Sequence, residues 1–530
     1  MPMAELKLFP FQELCVDKLS TVRSALIGDD MGLGKTVEAI MLDKRKRELD
    51  AKAFIERWNG KPITLVVAPY SVLGSWVRHF NKWNPALKVY RIEPKPNAAD
   101  RARFVDSVRN GTHDVYVIHW QGLRLVEDLQ TFRWFHVIAD EVHRAKSRKA
   151  QQTIALKKLF TDHKLGCSGT PADNRPDDFW SVLNWLRPKQ YSSYNQFRDY
   201  YLKIKWHDTE GNCDCPHMHK RAYQEIVGCA NVDELMEELE PFYVRRLKEE
   251  VWTEMPEKYY TPVEVDLSPA QRRAYEDMRK DMLSWVGKHE NEPVAAPLVI
   301  SQLIRLQQFA LAHARIETRK IRKRKCDLEP CRTLIREGGG CVGHLKDFVL
   351  LDEPSSKLDA AMDIIEDNPG KQVVCFSQSK QIMKLLTSRL DKRGISNLLY
   401  TSDTPPGWGP GQRERLVDEF QQGDRRVFAG TISAGGEGIE LTAAHTEIFF
   451  DRAWSPSKNN QAEDRCHRLG QANAVQVIDL VAKGTIDRGR NQKINLKWSW
   501  IKQILGDKGV EVDDEAVSEL GGIYDLQIGR

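Results

Sequence analysis

The sequence predicts an α/β fold of two parallel-sheet lobes joined by mainly helical insertions, and three observations lead there. Short, continuously apolar, β-branched runs alternate with helical stretches, which is how strands buried on both faces of a parallel sheet read. The runs fall into two series: SALIG 24–28, TLVVA 64–68, VYVI 115–118 and HVIA 136–139, then QVVCF 372–376, RVFA 426–429, TEIFF 446–450 and VQVIDLV 475–481. Strand–helix alternation calls for crossovers with helices on both faces, and two series call for two such bodies. Between them, residues 190–345 are richer in long charged helical stretches and short Cys/His or Gly clusters. The expected division is a first lobe over 1–255 with an insertion near 190–235, a helical protrusion and connector over 256–345, a second lobe over 346–500, and a peripheral tail over 501–530 that carries the acidic VEVDDEAVSEL.

Composition narrows the function classes. The 530 residues are 41% hydrophobic and 29% charged, an ordinary globular balance that excludes a disordered or fibrous chain. No apolar run approaches the ~20 residues needed to cross a bilayer, and MPMAELKLFPFQ has no basic segment leading into an apolar one. A location inside the cell is expected, cytoplasmic, with a nucleus left open, and no membrane partner. The net charge of +4 gives no general basicity, so any nucleic-acid footprint must be local. Ten scattered cysteines read as reduced thiols apart from two groups that have ligand-like spacing.

The first chemistry-bearing stretch is GDDMGLGKTVEAI, 28–40. It runs from a strand through a turn holding Asp30, Met31, Gly32, Leu33 and Gly34 into a helix opened by Lys35 and Thr36. Helix N-terminal N–H groups and the helix dipole attract phosphate there. Lys35 would reach the β- and γ-phosphates, and the Thr36 hydroxyl would hold Mg²⁺. The common phosphate-loop pattern has Gly where Asp29 stands, and a tight turn with a solvated lysine is the alternative. HVIADEVH, 136–143, ends a buried strand at the carboxyl edge where parallel sheets bind ligands. Asp140 there would complete the Mg²⁺ shell and Glu141 would orient and deprotonate the attacking water. Surface acids capping the next helix are the bland reading.

In the second half, FAGTISAGGEGIELTAA, 428–444, is Gly-rich where a loop must approach a backbone closely. QAEDRCHRLGQ, 461–471, sets Arg465 and Arg468 three apart on a predicted helix, hence on one face, where planar guanidiniums suit a transferring phosphoryl group. Two side features remain. RKIRKRK, 319–325, is a local basic footprint or a solvated face. Cys326, Cys331, Cys341 and His344 are compatible with a closed zinc site, or are unligated. Cys213, Cys215, His217 and His219 form a tighter cluster that suits zinc less well.

Taken together, DDMGLGKT, DEVH, SGTP and QAEDRCHRLGQ resemble the SWI/SNF-type family of DNA-translocating ATPases within helicase superfamily two. Asp29 belongs to that family's loop. Asp30 for the usual Glu and Val142 for the usual Ala are small departures. The resemblance implies two RecA-like lobes, ATP and Mg²⁺ as ligands, and duplex DNA held by sequence-independent backbone contacts, with a monomer expected and any targeting partner unspecified. It implies that Gln12 of LFPFQ reads the adenine edge and that Pro69 and Ser71 lie along DNA with Trp76 packed behind. Ser168, Gly169, Thr170 and Pro171 would link the nucleotide site to the DNA path. Ser377 and Gln378 would face DNA, while Gly435, Gly436 and Gly438 would serve DNA and the nucleotide cleft. Gln461 would contact nucleotide, and Arg465 and Arg468 would be arginine fingers. FYVRRLKEEV, 242–251, resembles the family stretch closing the first lobe. A strand-separating helicase on DNA or RNA shares these motifs, and a nucleotide-gated DNA-binding scaffold without turnover is the non-enzymatic alternative.

Overall fold

The computed structural model describes residues 6–92, 97–209, 221–252, 256–289, 295–321, 344–405, 411–435, 439–468 and 470–507. The first lobe is built on β1 (Ser24–Ile27), β2 (Thr64–Ala68), β3 (Val89–Arg91), β4 (Val115–His119), β5 (Arg133–Asp140), β6 (Phe160–Cys167) and, later in the chain, β9 (Tyr243–Val244). They form one sheet in the order β3-β4-β2-β5-β6-β1-β9, every neighbour parallel. Alternate residues of β2 enter opposite cores: Leu65 and Val67 pack with Trp134 and Leu183, Val66 and Ala68 with Ile40 and Trp76. Both faces are therefore covered, as the apolar runs require.

The second lobe uses β10 (Lys258–Val265), β13 (Val373–Ser377), β14 (Asn397–Tyr400), β15 (Val427–Thr431), β16 (Thr446–Phe449) and β17 (Val475–Ala482), in the order β10-β17-β16-β13-β15-β14. All of its pairs are parallel too. β10 falls in the stretch expected to be connector. Its sequence KYYTPVEV does not read as a strand because Pro262 interrupts it and half of its residues are exposed, both tolerated because β10 is the sheet edge.

The insertions are less helical than expected. Helices Pro269–His289 and Ala295–Leu311 are present, but β7 (Leu202–Thr209) with β8 (Arg221–Cys229), and β11 (His313–Ile321) with β12 (His344–Asp352), are antiparallel hairpins. Their charged residues obscure the period-two pattern. Of the expected tail, 508–530 with its acidic stretch lies outside the described residues, and 501–507 is not peripheral. Helix Ile486–Ile504 starts in the second lobe, where Lys357 donates 2.6 Å to the buried Asp487 carboxylate, and finishes with Ile501, Ile504 and Leu505 in the core of the first.

Candidate nucleotide site between the lobes

The turn after β1 places Gly32 and Gly34 at φ 89°, a left-handed backbone that favours glycine, and helix Lys35–Trp58 begins at the next residue. Lys35 Nζ donates to the carbonyls of Asp29 (2.7 Å) and Asp30 (2.9 Å), so its charge sits inside the loop it serves. Gln12 lies under the same loop with both ends engaged: Nε2 donates to Leu33 O at 3.0 Å and Oε1 accepts from Phe9 N at 3.1 Å. The residue thus holds the loop to the helix Pro10–Ser20 that carries it.

The reason for an acid at position 29 is Arg246. Asp29 is fully buried and accepts from the Arg246 guanidinium, which also donates 2.5 Å to the buried Glu38, reaches Phe11 O, and stands over the Phe11 ring at 4.9 Å. Burial and the neighbouring Asp29 push Glu38 up to about 8, against the pull of Arg246. Arg245 grips the other side. It donates to Gly28 O at 2.7 Å and Gly169 O at 3.1 Å, and pairs with Asp507 from beyond the last helix. The arginine pair is thus a largely covered clamp on the phosphate loop rather than a solvated basic face. Its partners lie more than 200 residues away in sequence, except Gly169, beyond any local signal.

β5, central in the sheet, delivers Asp140 beside the loop. Two tryptophans fix it: Trp76 Nε1 donates to Oδ2 at 2.8 Å and Trp120 Nε1 to the main-chain carbonyl at 2.9 Å. Trp76 is therefore more than packing. Glu141 adopts a left-handed backbone, φ 49°, which turns its side chain away from the strand direction, with Oε2 3.2 Å from His143 Nδ1. Burial and the Glu141 charge raise Asp140 to about 6. In Glu141 burial is outweighed by the bond to His143 and by that ring's charge, leaving it at about 2. The donor set fits the expected ligands: a carboxylate whose ionisation a cation would favour, next to a helix N-terminus, a lysine and a hydroxyl.

The SGTP stretch after β6 turns inward. Ser168, fully buried, has its Oγ 2.9 Å from His143 Nδ1 and 3.4 Å from Glu141 Oε2, and accepts from Thr170 N at 3.2 Å. Gly169 abuts Met31. Ser168, Gly169 and Thr170 are placed against the Glu141 carboxylate and the loop, with Ser168 and Thr170 too deeply buried to present a nucleic-acid surface. Three residues on, Asp173 crosses the cleft, accepting from Ser455 (3.1 Å) and Ser457 of the second lobe as well as from Lys146.

The helix expected to carry the arginine pair ends earlier, spanning Pro456–Glu463; Arg465 and Arg468 follow on tighter turns, with Arg465 N donating to Ala462 O and Arg468 N to Cys466 O. Both guanidiniums nevertheless converge on the Ile439 carbonyl at 3.3 and 3.4 Å, and Arg468 pairs with Glu440 at 2.9 Å. Arg465 is within electrostatic reach of Glu141, and the Arg468 Cβ lies 3.6 Å from where a Cβ on Gly32 would stand. Arg465 Nε also donates 3.0 Å to the carbonyl of the buried Gln461. Lys248, which the sequence did not single out, donates 2.6 Å to Asp464 between these elements.

Of the expected nucleic-acid contacts, Ser71 and Gln378 are exposed at strand ends, while Pro69 is buried. Ser377 is buried and donates 2.6 Å to Asp451, bracing the turn that presents Gln378. Gly435 is needed for close approach, since a Cβ would stand 2.5 Å from the Phe376 ring. Gly436, Gly438, Cys326, Cys331, Cys341, the Cys213–His219 cluster and residues 322–325 lie outside the described residues, as does the side chain of His344. Among the described residues no group of three or more His, Cys, Asp and Glu is arranged to hold a metal ion, and no helix is long and apolar enough to cross a membrane.

A phosphate loop and acid pair on one parallel-sheet lobe, faced by an arginine pair on a second, define a two-lobed P-loop ATPase. The model of the SNF2-related domain matches residues 13–313 and that of the helicase conserved C-terminal domain residues 356–470; the chain belongs to the SNF2-related family. The transcription regulatory protein SNF2 of Saccharomyces cerevisiae is 28% identical over 477 residues, covering 88% of this chain and 25% of that protein. The uncharacterized ATP-dependent helicase MG018 of Mycoplasma genitalium is 26% identical over 486 residues, covering 91% of this chain and 40% of that protein. The chain thus spans well under half the length of these relatives. A solved SWI2/SNF2 ATPase core of Sulfolobus solfataricus in complex with dsDNA is 22% identical, with 97% of this chain and 96% of that chain covered at a TM-score of 0.38.

Proposed function

We propose that this chain is an ATP-driven motor that moves along duplex DNA without separating its strands, remodelling DNA or protein–DNA complexes. The observation that carries the reading is the meeting of Arg468 with Gly32, and of Arg465 with the field of Glu141, across two separate sheets. Half of a phosphoryl-transfer site on each lobe makes closure a condition of hydrolysis.

Lys35 takes the β- and γ-phosphates at the helix N-terminus. Mg²⁺ held by Thr36 and Asp140 would neutralise phosphate charge. Glu141, kept ionised by His143, orients the attacking water and receives its proton. Arg465 and Arg468 stabilise the charge that spreads over the transferring group, an effect worth about 10³-fold or more in rate. The path from the carboxylate through Ser168 to Asp173, and across to Ser455 and Ser457, gives hydrolysis a way to change how the lobes meet. Ser71 and Gln378, one on each lobe, then hold the DNA backbone with alternating strength. Binding of this kind is salt-dependent and largely indifferent to sequence. The reading extends to a monomer acting inside the cell on duplex DNA, with targeting left to other chains or segments.

The test compares ATPase rates without DNA and with single-stranded or duplex DNA, alongside triplex and strand displacement. Duplex-stimulated hydrolysis with triplex displacement and no unwinding is expected, and Lys35→Ala and Glu141→Gln should abolish both. Strand separation would transfer the protein to the helicases. Nucleotide-dependent DNA binding that persists with no turnover in the unaltered chain would make it a scaffold.

A further inference from the structure

The two halves of the hydrolytic site must be aligned to within the reach of a side chain, and one lysine touches both. Lys248 stands two residues beyond Arg246 of the Arg245–Arg246 clamp, so its main chain is anchored in the first lobe. Its backbone N donates to Asp30 Oδ2 of the phosphate loop at 3.2 Å. Its side chain, 7% exposed, crosses to the second lobe, where Nζ donates to Asp464 Oδ1 at 2.6 Å and to His467 O at 2.9 Å. Those two acceptors are the residues immediately preceding Arg465 and Arg468 in the chain. The regular helix has ended at Glu463, and the turn that bears both arginines is held by tighter, mixed bonds, Arg465 N to Ala462 O at 3.1 Å and His467 N to Glu463 O at 3.2 Å, with Lys248 as its side-chain tie to the phosphate loop.

We propose that Lys248 is a positioning residue for hydrolysis: it fastens the arginine-bearing turn of the second lobe to the phosphate loop of the first. This rests on the reading that Arg465 and Arg468 act on ATP. A cation with three donors suits the task, since it takes a carboxylate and a carbonyl at once from a flexible stem. The pair is shielded from water on both sides, with Asp464 at 16% exposure, so it is screened less than a surface ion pair. Losing it frees the turn to rotate, and the arginines lose their aim while every group that touches ATP in the first lobe stays in place. The consequence is a defect in turnover rather than in nucleotide binding.

The experiment uses the full chain with Lys248→Met, which keeps the stem and removes the charge, Asp464→Asn, the double variant, and Lys248→Arg. Duplex-stimulated hydrolysis is measured for kcat and KM, and hydrogen exchange is followed over residues 461–468 with and without a non-hydrolysable ATP analogue. Each single variant should lower kcat about tenfold with KM for ATP changed less than about threefold, and the double should be no worse than the poorer single, as expected for residues that act as a unit. Lys248→Met should add nothing in an Arg465→Ala background, exchange over 464–468 should rise about tenfold, and Lys248→Arg should recover part of both. A lowered melting temperature with kcat intact, losses that add in the double variant, or unchanged exchange would each overturn the assignment. If the unaltered chain shows no DNA-stimulated hydrolysis, the motor reading falls, and the exchange data alone still decide whether Lys248 fixes the turn.

Discussion

The indole Nε1 of Trp76 donates a 2.8 Å hydrogen bond to Oδ2 of Asp140, joining the helix Leu73–Trp83 to the acid expected to hold Mg²⁺. Trp76→Phe keeps the buried ring and removes the donor. Asp140 would then lose its orientation, and the Mg²⁺ concentration for half-maximal ATPase should rise about tenfold, the lower range for supporting contacts around a metal ligand. A magnesium titration of the rate checks this; an unchanged midpoint would return Trp76 to the core.

Arg246→Ala leaves Asp29 and Glu38 buried without their shared cation. Removing one partner of such a cluster destabilises by about 3 kcal/mol or more. Heat or urea denaturation should show that loss, together with weakened ATP binding. Arg246→Lys should recover little, since a single ammonium cannot span both carboxylates and Phe11 O.

Asp507→Ala should act at a distance. It frees Arg245 from its nearest carboxylate partner, leaving the Gly28 and Gly169 carbonyls and the more distant Asp30 carboxylate at 3.9 Å. The expected outcome is a lower melting temperature and a higher KM for ATP, restored in part by Asp507→Glu. A variant indistinguishable from the unaltered chain would show that Arg245 needs no help.

Stability should fall with rising pH through one group in the second lobe. Glu447 is fully buried on β16, and burial, aided by the Glu463 charge and only partly opposed by Cys466, Lys258 and Arg452, pushes its carboxyl up to about 8. A carboxyl whose folded-state value lies above its usual 4.5 favours the folded state while protonated, and this preference is lost as pH rises from about 4.5 to about 8. Glu447→Gln should therefore raise the melting temperature at pH 8 and leave it nearly unchanged at pH 4.5. Melting curves across that interval decide it; an equal shift at both ends would assign the effect to packing.

The parts of the site that local chemistry dictates were legible in the sequence. Lys35 and Thr36 open a helix after a glycine turn, and Asp140 ends an apolar run, so their placement follows from neighbours a few residues away. What escaped depends on distant partners: Trp76 with Asp140, Arg246 with Asp29, Lys248 with Asp464, Arg245 with Asp507. Each of these polar residues, read alone, is a surface group or a core aromatic, and only the folded topology supplies the other half. The same limit applies to the fold. The two-series strand pattern announced both sheets, whereas β10 with its internal proline and the charged hairpins carried no periodicity to announce them. The sequence predicts Arg465 and Arg468 on a helix because charged residues there continue a helical pattern past Glu463, where the regular helix ends and the backbone tightens.

The final helix, Ile486–Ile504, gives the molecule a second crossing between its halves. It finishes where Asp507 meets Arg245, three residues before the Lys248 that reaches Asp464 in the second lobe. Both ties therefore meet at one short stretch, Arg245–Lys248, like the spine of a book. Covers bound along one spine swing about it, so in the proposed motor each ATP turned over should be felt as a pivot about that line, with the stride set by how far from the spine DNA is held.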